Sequence, residues 1–312
     1  MYYAGIDAHK RYVVVAVVSN TAERVLAPTR IPVTEKPRLV EVLRPYRPLE
    51  VVTEASPFWP WIHERLVEVG VGFVLAHSKK LRAIAGDDQK RDESDAELLA
   101  RMLQAGLIPE VYPKPWEQLE LAQLVRHRAA LGRHRTALAN RIHSQLQSRG
   151  LILERGRLLT QAGQEWVRSE AWPQLGPEQQ RVVETHLQLI AELAPMIRKL
   201  EARIDDVGAE QPGVEILRSV PGIGPYRALL LAVEILPLWR YRGPSHLVSY
   251  GGALVRAVVS HVRAAPDSHL SRYYARQKDR LGWPTARVAT ARKLCRILYA
   301  MLRDGEHWRD SG

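Results

Sequence analysis

Four carboxylates carry the strongest chemical signal in this chain. Asp7 closes the apolar run Tyr2–Ile6 and Glu54 closes the run Leu49–Thr53, while Asp92 and Asp95 stand three residues apart at the head of a helical pattern. An i, i+3 spacing sets both aspartates on one helix face. If that face turns toward the two strand ends, four acids converge, and acids so close repel one another unless a cation sits among them. Mg2+ (or Mn2+) suits such oxygen donors, and two ions together can steady the attacking and leaving oxygens of phosphoryl transfer. Each acid also has a plainer reading. A strand-end Asp is often a turn former, and an Asp92/Asp95 pair is often a helix N-cap with its first turn. The neighbours Asp87, Asp88, Glu93 and Glu97 are expected to be solvated.

The second signal is positive charge. The chain holds 45 Lys+Arg against 34 Asp+Glu, a net charge of +11. This favours a polyanionic partner and salt-sensitive binding. Basic residues crowd 122–149 and 272–303, whereas residues 1–60 are nearly balanced. Arg126, Arg128, Arg133, Arg135 and Arg141, with Arg149, His127 and His134, suit a phosphate track along DNA or RNA. The competing reading is a solvated coiled-coil face. Arg276 and Lys278 stand beside Arg272, Tyr273 and Tyr274, where rings able to stack bases compete with plain core tyrosines. Gly222 and Gly224, in the Pro221–Pro225 turn, either bring backbone N–H groups to a phosphate or simply make a tight turn.

Composition excludes other chemistries. The lone Cys295 rules out intramolecular disulfides and multi-cysteine zinc sites, and the 11 histidines show no zinc-ligand spacing. No run of about 18 apolar residues and no signal-peptide pattern is present, so the protein is expected in a reducing, soluble compartment without membrane contact.

The elements that must position these residues follow from periodicity. Tyr2–Ile6, Tyr12–Val18, Arg30–Val33, Leu49–Thr53 and Val71–Ala76 read as strands. Helices are expected over Trp61–Val69, with Ile62, Leu66 and Val67 apolar, and over Asp92–Leu103. This order suits a mixed sheet flanked by helices, an α/β unit over 1–110. Gly106, Pro109, Pro113 and Pro115 mark a boundary. Beyond it an all-α region, 111–210, carries two long helices. One has Leu124, Leu131, Leu138, Ile142 and Leu146 in a stripe. The other spans Gln179–Val207, with Val182, Val183, Leu187, Ile190, Leu193, Ile197, Leu200 and Ile204 apolar. They are expected to pair as an antiparallel hairpin or coiled coil. A last, mainly helical unit covers 211–312, with helices over Ala228–Ile235, 253–262 and Thr285–Leu302. The final helix carries the stripe Val288, Ala291, Leu294, Cys295, Leu298 and Met301.

The segments Tyr3-Ala4-Gly5-Ile6-Asp7-Ala8-His9-Lys10, Val52-Thr53-Glu54-Ala55-Ser56 and Lys90-Arg91-Asp92-Glu93-Ser94-Asp95-Ala96-Glu97-Leu98-Leu99-Ala100 resemble the DEDD family of insertion-sequence transposases, which includes bridge-RNA-guided recombinases. Leu217–Pro225 is similar to the start of that family's C-terminal transposase domain. The resemblance spans nearly the whole chain in the right order. It implies a ribonuclease-H/RuvC-like domain carrying Asp7, Glu54, Asp92 and Asp95, then a coiled-coil insertion and a transposase domain that supplies a serine nucleophile. It further implies DNA as substrate, a non-coding guide RNA, a homo-oligomer (dimer or tetramer) and a prokaryotic, nucleoid-associated cytoplasmic setting.

After Ser249-Tyr250-Gly251-Gly252 the chain departs from the pattern. In place of a Gly-Leu-Val-Pro-like turn and a Ser-Gly pair it runs Ala253-Leu254-Val255-Arg256-Ala257-Val258-Val259-Ser260-His261-Val262, an amphipathic helix. Ser260 is therefore the candidate nucleophile, with Ser249 and Ser245 as fallbacks and a structural role for Ser260 as the alternative. Two rival functions follow. One is a metal-dependent, structure-selective nuclease that needs no serine. The other is a catalytically impaired transposase variant that only binds nucleic acid.

Overall fold

The computed structural model describes residues 1–85, 95–154, 156–248 and 252–310. The chain divides into two compact units, Met1–Trp116 and Glu117–Gly312.

Among the described residues of the first unit, six strands form one sheet in the order β3-β2-β1-β4-β5-β6. They are β1 (Tyr2–Ala8), β2 (Tyr12–Ser19), β3 (Arg24–Pro32), β4 (Leu49–Glu54), β5 (Gly72–Ala76) and β6 (Glu110–Val111). β2, rich in valine, buries Val13 and Val15 through Val18, as expected of a strand covered on both faces. β1, β4 and β5 run parallel, while β2, β3 and β6 are antiparallel to their neighbours. The crossovers carry α1 (Lys36–Leu43), α2 (Trp59–Val67), α3 (Ser78–Ala85) and α4 (Asp95–Gln104). One sheet face packs Ala4, Ile6 and Val51 on Ile62 and Leu66 of α2. The other packs Val52 and Ala76 on Leu99, Met102 and Leu103 of α4. This is a ribonuclease-H-like mixed sheet.

Three expectations need correction here. The third strand begins at Arg24, well before Arg30, and its first half is largely exposed at the sheet edge. Val67 is 58% exposed, because α2 ends there and its side chain leaves the sheet-facing stripe. Glu97 is not solvated but 3% exposed, held by Arg24 at 3.2 Å and Arg101 at 2.8 Å.

The second unit is helical, with α5 (Trp116–Gln147), α6 (Gln161–Trp166), α7 (Pro177–Ala209), α8 (Val214–Arg218), α9 (Pro225–Ile235), α10 (Pro244–Leu247), α11 (Gly252–Ala264), α12 (His269–Leu281) and α13 (Trp283–Asp304). α5 and α7 pair antiparallel. Ala122 and Val125 near the start of α5 meet Ile204 near the end of α7, whereas Leu138, Ile142 and Leu146 meet Val183, Leu187 and Ile190. Val182 and Val288, assigned to buried stripes from periodicity, are 40% and 45% exposed, each at the rim of its helix's apolar face. Among the described residues, no helix is long and apolar enough to cross a membrane.

Candidate active site

Gly5 explains how α4 reaches β1. A Cβ on Gly5 would stand 2.0 Å from the Ala96 carbonyl oxygen and 2.7 Å from the Ala100 nitrogen. Only a residue without a side chain lets the helix backbone lie that close to the strand. Asp7 follows Gly5 by two residues and so projects from the same sheet face. Val52 pairs with Gly5 across the parallel β1/β4 ladder, and Glu54 follows Val52 by two. Asp7 and Glu54 therefore stand at adjacent strand ends on the α4 side, and Asp95 opens α4 above them. The Thr53 hydroxyl donates to the Ile6 carbonyl at 2.8 Å and ties the two strand ends together.

Asp7 sits where its charged form is disfavoured. Burial raises its carboxyl above the usual range, and the negative charge of Asp95 raises it further. His9 opposes both, with its Nε2 2.7 Å from Asp7 Oδ2. A carboxylate held against desolvation and a neighbouring acid is one that a divalent cation would relieve. The donors are carboxylate oxygens, which fit a hard cation such as Mg2+. As arranged, no group of three His, Cys, Asp or Glu side chains among the described residues is close enough to grip one ion. Asp92 lies outside the described residues, as do Asp87, Asp88 and Glu93.

In the second unit, Ser260 is half-buried on α11, and no acid or base contacts its hydroxyl among the described residues. Its backbone presses on the Pro221–Pro225 turn: a Cβ on Gly222, where φ is +81°, would meet Ser260 C and O at 2.5 Å. Ser245 is exposed, and Ser249 lies outside the described residues. Residue spacing gave no hint of a nearby buried polar chain. His261 donates from Nδ1 to the Pro221 carbonyl at 2.9 Å, and its Nε2 meets the Ser268 hydroxyl at 2.8 Å. With Nδ1 committed as donor, Nε2 is an acceptor, and the single Ser268 hydroxyl proton is shared between it and Ser271 Oγ at 3.1 Å. Ser268 also caps α12 through the Ser271 N–H and is 4% exposed. It is hydrogen-bonded like a nucleophile paired with a base, yet it is sealed from solvent. Burial pushes the Cys295 thiol up to about 11, so this cysteine is inert.

Of the basic residues singled out in the sequence, Arg126, Arg128, Arg133 and Arg135 line one cavity together with Gly224. A Cβ on Gly224 would meet nothing within 4 Å, so the two glycines of the turn differ: Gly222 admits α11, and Gly224 faces open space. Arg141 is exposed on α5, and Arg276 and Lys278 are exposed on α12, none of them lining that cavity. Tyr274 packs against the helical core, and Lys293 sits 4.6 Å from the centre of the Tyr273 ring.

Residues 4–149 match the DEDD transposase family of the IS110 type. A putative transposase, y4pF/y4sB, from Sinorhizobium fredii (strain NBRC 101917 / NGR234) is 25% identical over 252 residues, covering 71% of this chain and 65% of the relative. The transposase for insertion sequence element IS1111A of Coxiella burnetii (strain RSA 493 / Nine Mile phase I) is 23% identical over 250 residues, covering 70% and 68%. About a third of each relative's length therefore lies outside the match. With a ribonuclease-H-like sheet beneath Asp7 and Glu54, the chain is similar over residues 4–149 to the DEDD insertion-sequence transposases.

Proposed function

We propose that this chain is a DNA transposase or recombinase that cuts and rejoins strands at the Asp7, Glu54 and Asp95 site. The observation that carries this reading is the placement of Asp7 and Glu54 at the ends of adjacent strands on the α4 side, with Asp95 close enough to raise the Asp7 carboxyl. These three, with Asp92 from the sequence pattern, are the residues that would hold Mg2+ or Mn2+, in keeping with a family that is generally dependent on divalent metal. When bound, such an ion supplies positive charge against the phosphoryl oxygens of the strand being cut. His9 orients the Asp7 carboxylate, and Thr53 fixes the spacing of the two strand ends.

Ser260 is the candidate for the strand-exchange nucleophile. Its Oγ would form a bond to phosphorus as the bond from phosphorus to the deoxyribose oxygen breaks, with the serine proton passing to that leaving oxygen. The phosphate contacts are assigned to Arg126, Arg128, Arg133, Arg135, Arg141, Arg276 and Lys278, with the backbone at Gly222 and Gly224. A non-coding guide RNA, assembly as a homo-oligomer and work at the nucleoid follow from the family resemblance. The architecture of 1–110, 111–210 and 211–312 as catalytic, coiled-coil and transposase regions belongs to the same proposal.

Asp7→Asn should abolish strand cleavage in Mg2+ while leaving most nucleic-acid binding intact; equal cleavage by this variant would reject the site. A covalent protein–DNA adduct that disappears in Ser260→Ala would support the serine step. Cleavage without any adduct would favour the structure-selective nuclease. That rival is kept in view because no base contacts Ser260 among the described residues.

A further inference from the structure

We infer that the helical unit carries a dedicated phosphodiester-backbone cradle whose key cations, beyond those named above, are Arg227 of α9 and Arg256 of α11. This rests on the reading of the chain as a nucleic-acid enzyme and specifies what its second unit grips.

The cavity has a volume of about 1120 Å³, and its walls come from α5, α7, the first turn of α9, and Arg256. Six arginines line it: Arg126, Arg128, Arg133, Arg135, Arg227 and Arg256. Ion pairing within the unit leaves an excess. Arg126 is matched by Glu234 and Arg128 by Glu201. Asp205, the other acid on the wall, is taken by Arg218. Among the described residues, no carboxylate pairs with Arg133, Arg135, Arg227 or Arg256. The Nε of Arg135 is buried without an acceptor, a donor that costs free energy until something accepts from it. Arg227 is half-buried, and the only hydrogen bond of its side chain among the described residues goes to the Gly222 carbonyl at 3.2 Å. Burial, with the positive charges of Arg128 and Arg256 added, lowers its guanidinium below the usual range. Cations gathered in a partly desolvated hollow call for an anion, and guanidinium forks match phosphate oxygens in pairs.

The anion's class follows from shape and chemistry. Small-molecule pockets run to roughly 1,000 Å³, so this cavity exceeds the need of a lone phosphate. Arg128 already covers the Tyr226 ring at 4.4 Å, which removes that face as a platform for a base. The open backbone at Gly224 leads into α9, whose first turn adds the positive end of a helix dipole. The wall thus reads charge and spacing but not base edges, and its ligand is the backbone of DNA or RNA held without sequence preference.

The test is fluorescence anisotropy with labelled duplex DNA and single-stranded RNA over a salt series, on the full chain. Arg256→Gln and Arg133→Gln alter exposed side chains on different helices, so folding should hold, and matched melting temperatures check this. Arg227→Gln is the third variant, and Arg168→Gln, an exposed cation outside the cavity, is the control. Each cavity variant should weaken binding about tenfold and reduce the slope of log K against log salt by about 0.9 on duplex DNA and about 0.7 on single strands. Scrambling the oligonucleotide sequence should change neither number. A control that loses as much as Arg256→Gln would overturn the cradle, as would cavity variants with unchanged slopes. Inorganic phosphate or poly-glutamate competing as well as the oligonucleotide would overturn it in favour of a small-anion or acidic-protein site. Failure of the carboxylate site would look different: Asp7→Asn would still cut DNA while Arg256→Gln lost its salt slope.

Discussion

Asp7 holds a charge where burial and Asp95 both work against it, and His9 offsets them only in part. Its folded pKa lies above the unfolded value, so at neutral pH the charged form costs stability; the cost fades as pH falls through the folded value and is gone below the unfolded one. Asp7→Asn should therefore raise the melting temperature in EDTA by about 2–5 °C. Added Mg2+ should raise it in the native chain but not in the variant; a variant that melts lower in EDTA would reject the account. His261 has the opposite sign. Its folded pKa is lowered, chiefly by burial and also by the charge of His269, against the Pro221 bond and Asp310. No cost arises above the unfolded value near 6.5, and the helical unit should lose stability as pH falls below it. His261→Gln, which can still donate and accept, should flatten that part of a melting-temperature profile; an unchanged profile would assign the acid sensitivity elsewhere. Glu97 is the third pressure point. Glu97→Ala removes a buried acceptor shared by Arg24 and Arg101 and should cost about 2 kcal/mol in denaturant unfolding.

At the scale of elements, β1 and α4 are joined by the absence of a side chain. Gly5→Ala would place a methyl group 2.0 Å from the Ala96 carbonyl, which backbone cannot yield without α4 moving. A loss of about 3 kcal/mol is expected in chemical unfolding. Cleavage should fall with it, because Asp95 leaves with the helix; retained stability would mean that α4 does not rest on β1 as described. Much of the sheet was legible because valine-rich runs such as Tyr12–Val18 and Leu49–Thr53 can hardly be anything but buried strands. The antiparallel pairing of α5 and α7 was legible for the same reason, from leucine and isoleucine at helical spacing. What escaped has physical causes. β6 is two residues long and shows no period. α12 has a markedly polar composition and buries only Leu270 and Ser271, so no apolar stripe announced it. At the candidate site, acid types at strand ends could be read from order alone. The His9 contact, the role of Gly5 and the His261–Ser268 pair could not, because each depends on chain segments meeting in space.

Over the whole molecule, the net charge of +11 sets the long-range field. If the six cavity arginines each meet a phosphate, affinity for duplex DNA should fall roughly a thousandfold between about 50 and 200 mM salt. A flat salt response would contradict a partner recognised through its backbone. The polar chain around His261 also links residues far apart in sequence. The Trp308 ring stacks on His269 and meets His261 edge-on, the Trp308 backbone N–H donates to Ser219 Oγ at 2.8 Å, and Asp310 holds His269 at 2.6 Å. During synthesis, then, the sheet unit has all its strands in hand once residue 116 has emerged, whereas the helical unit waits for residue 310 before its polar centre can be closed over. A ribosome stalled before Trp308 would carry a finished first half and a second half still open to water.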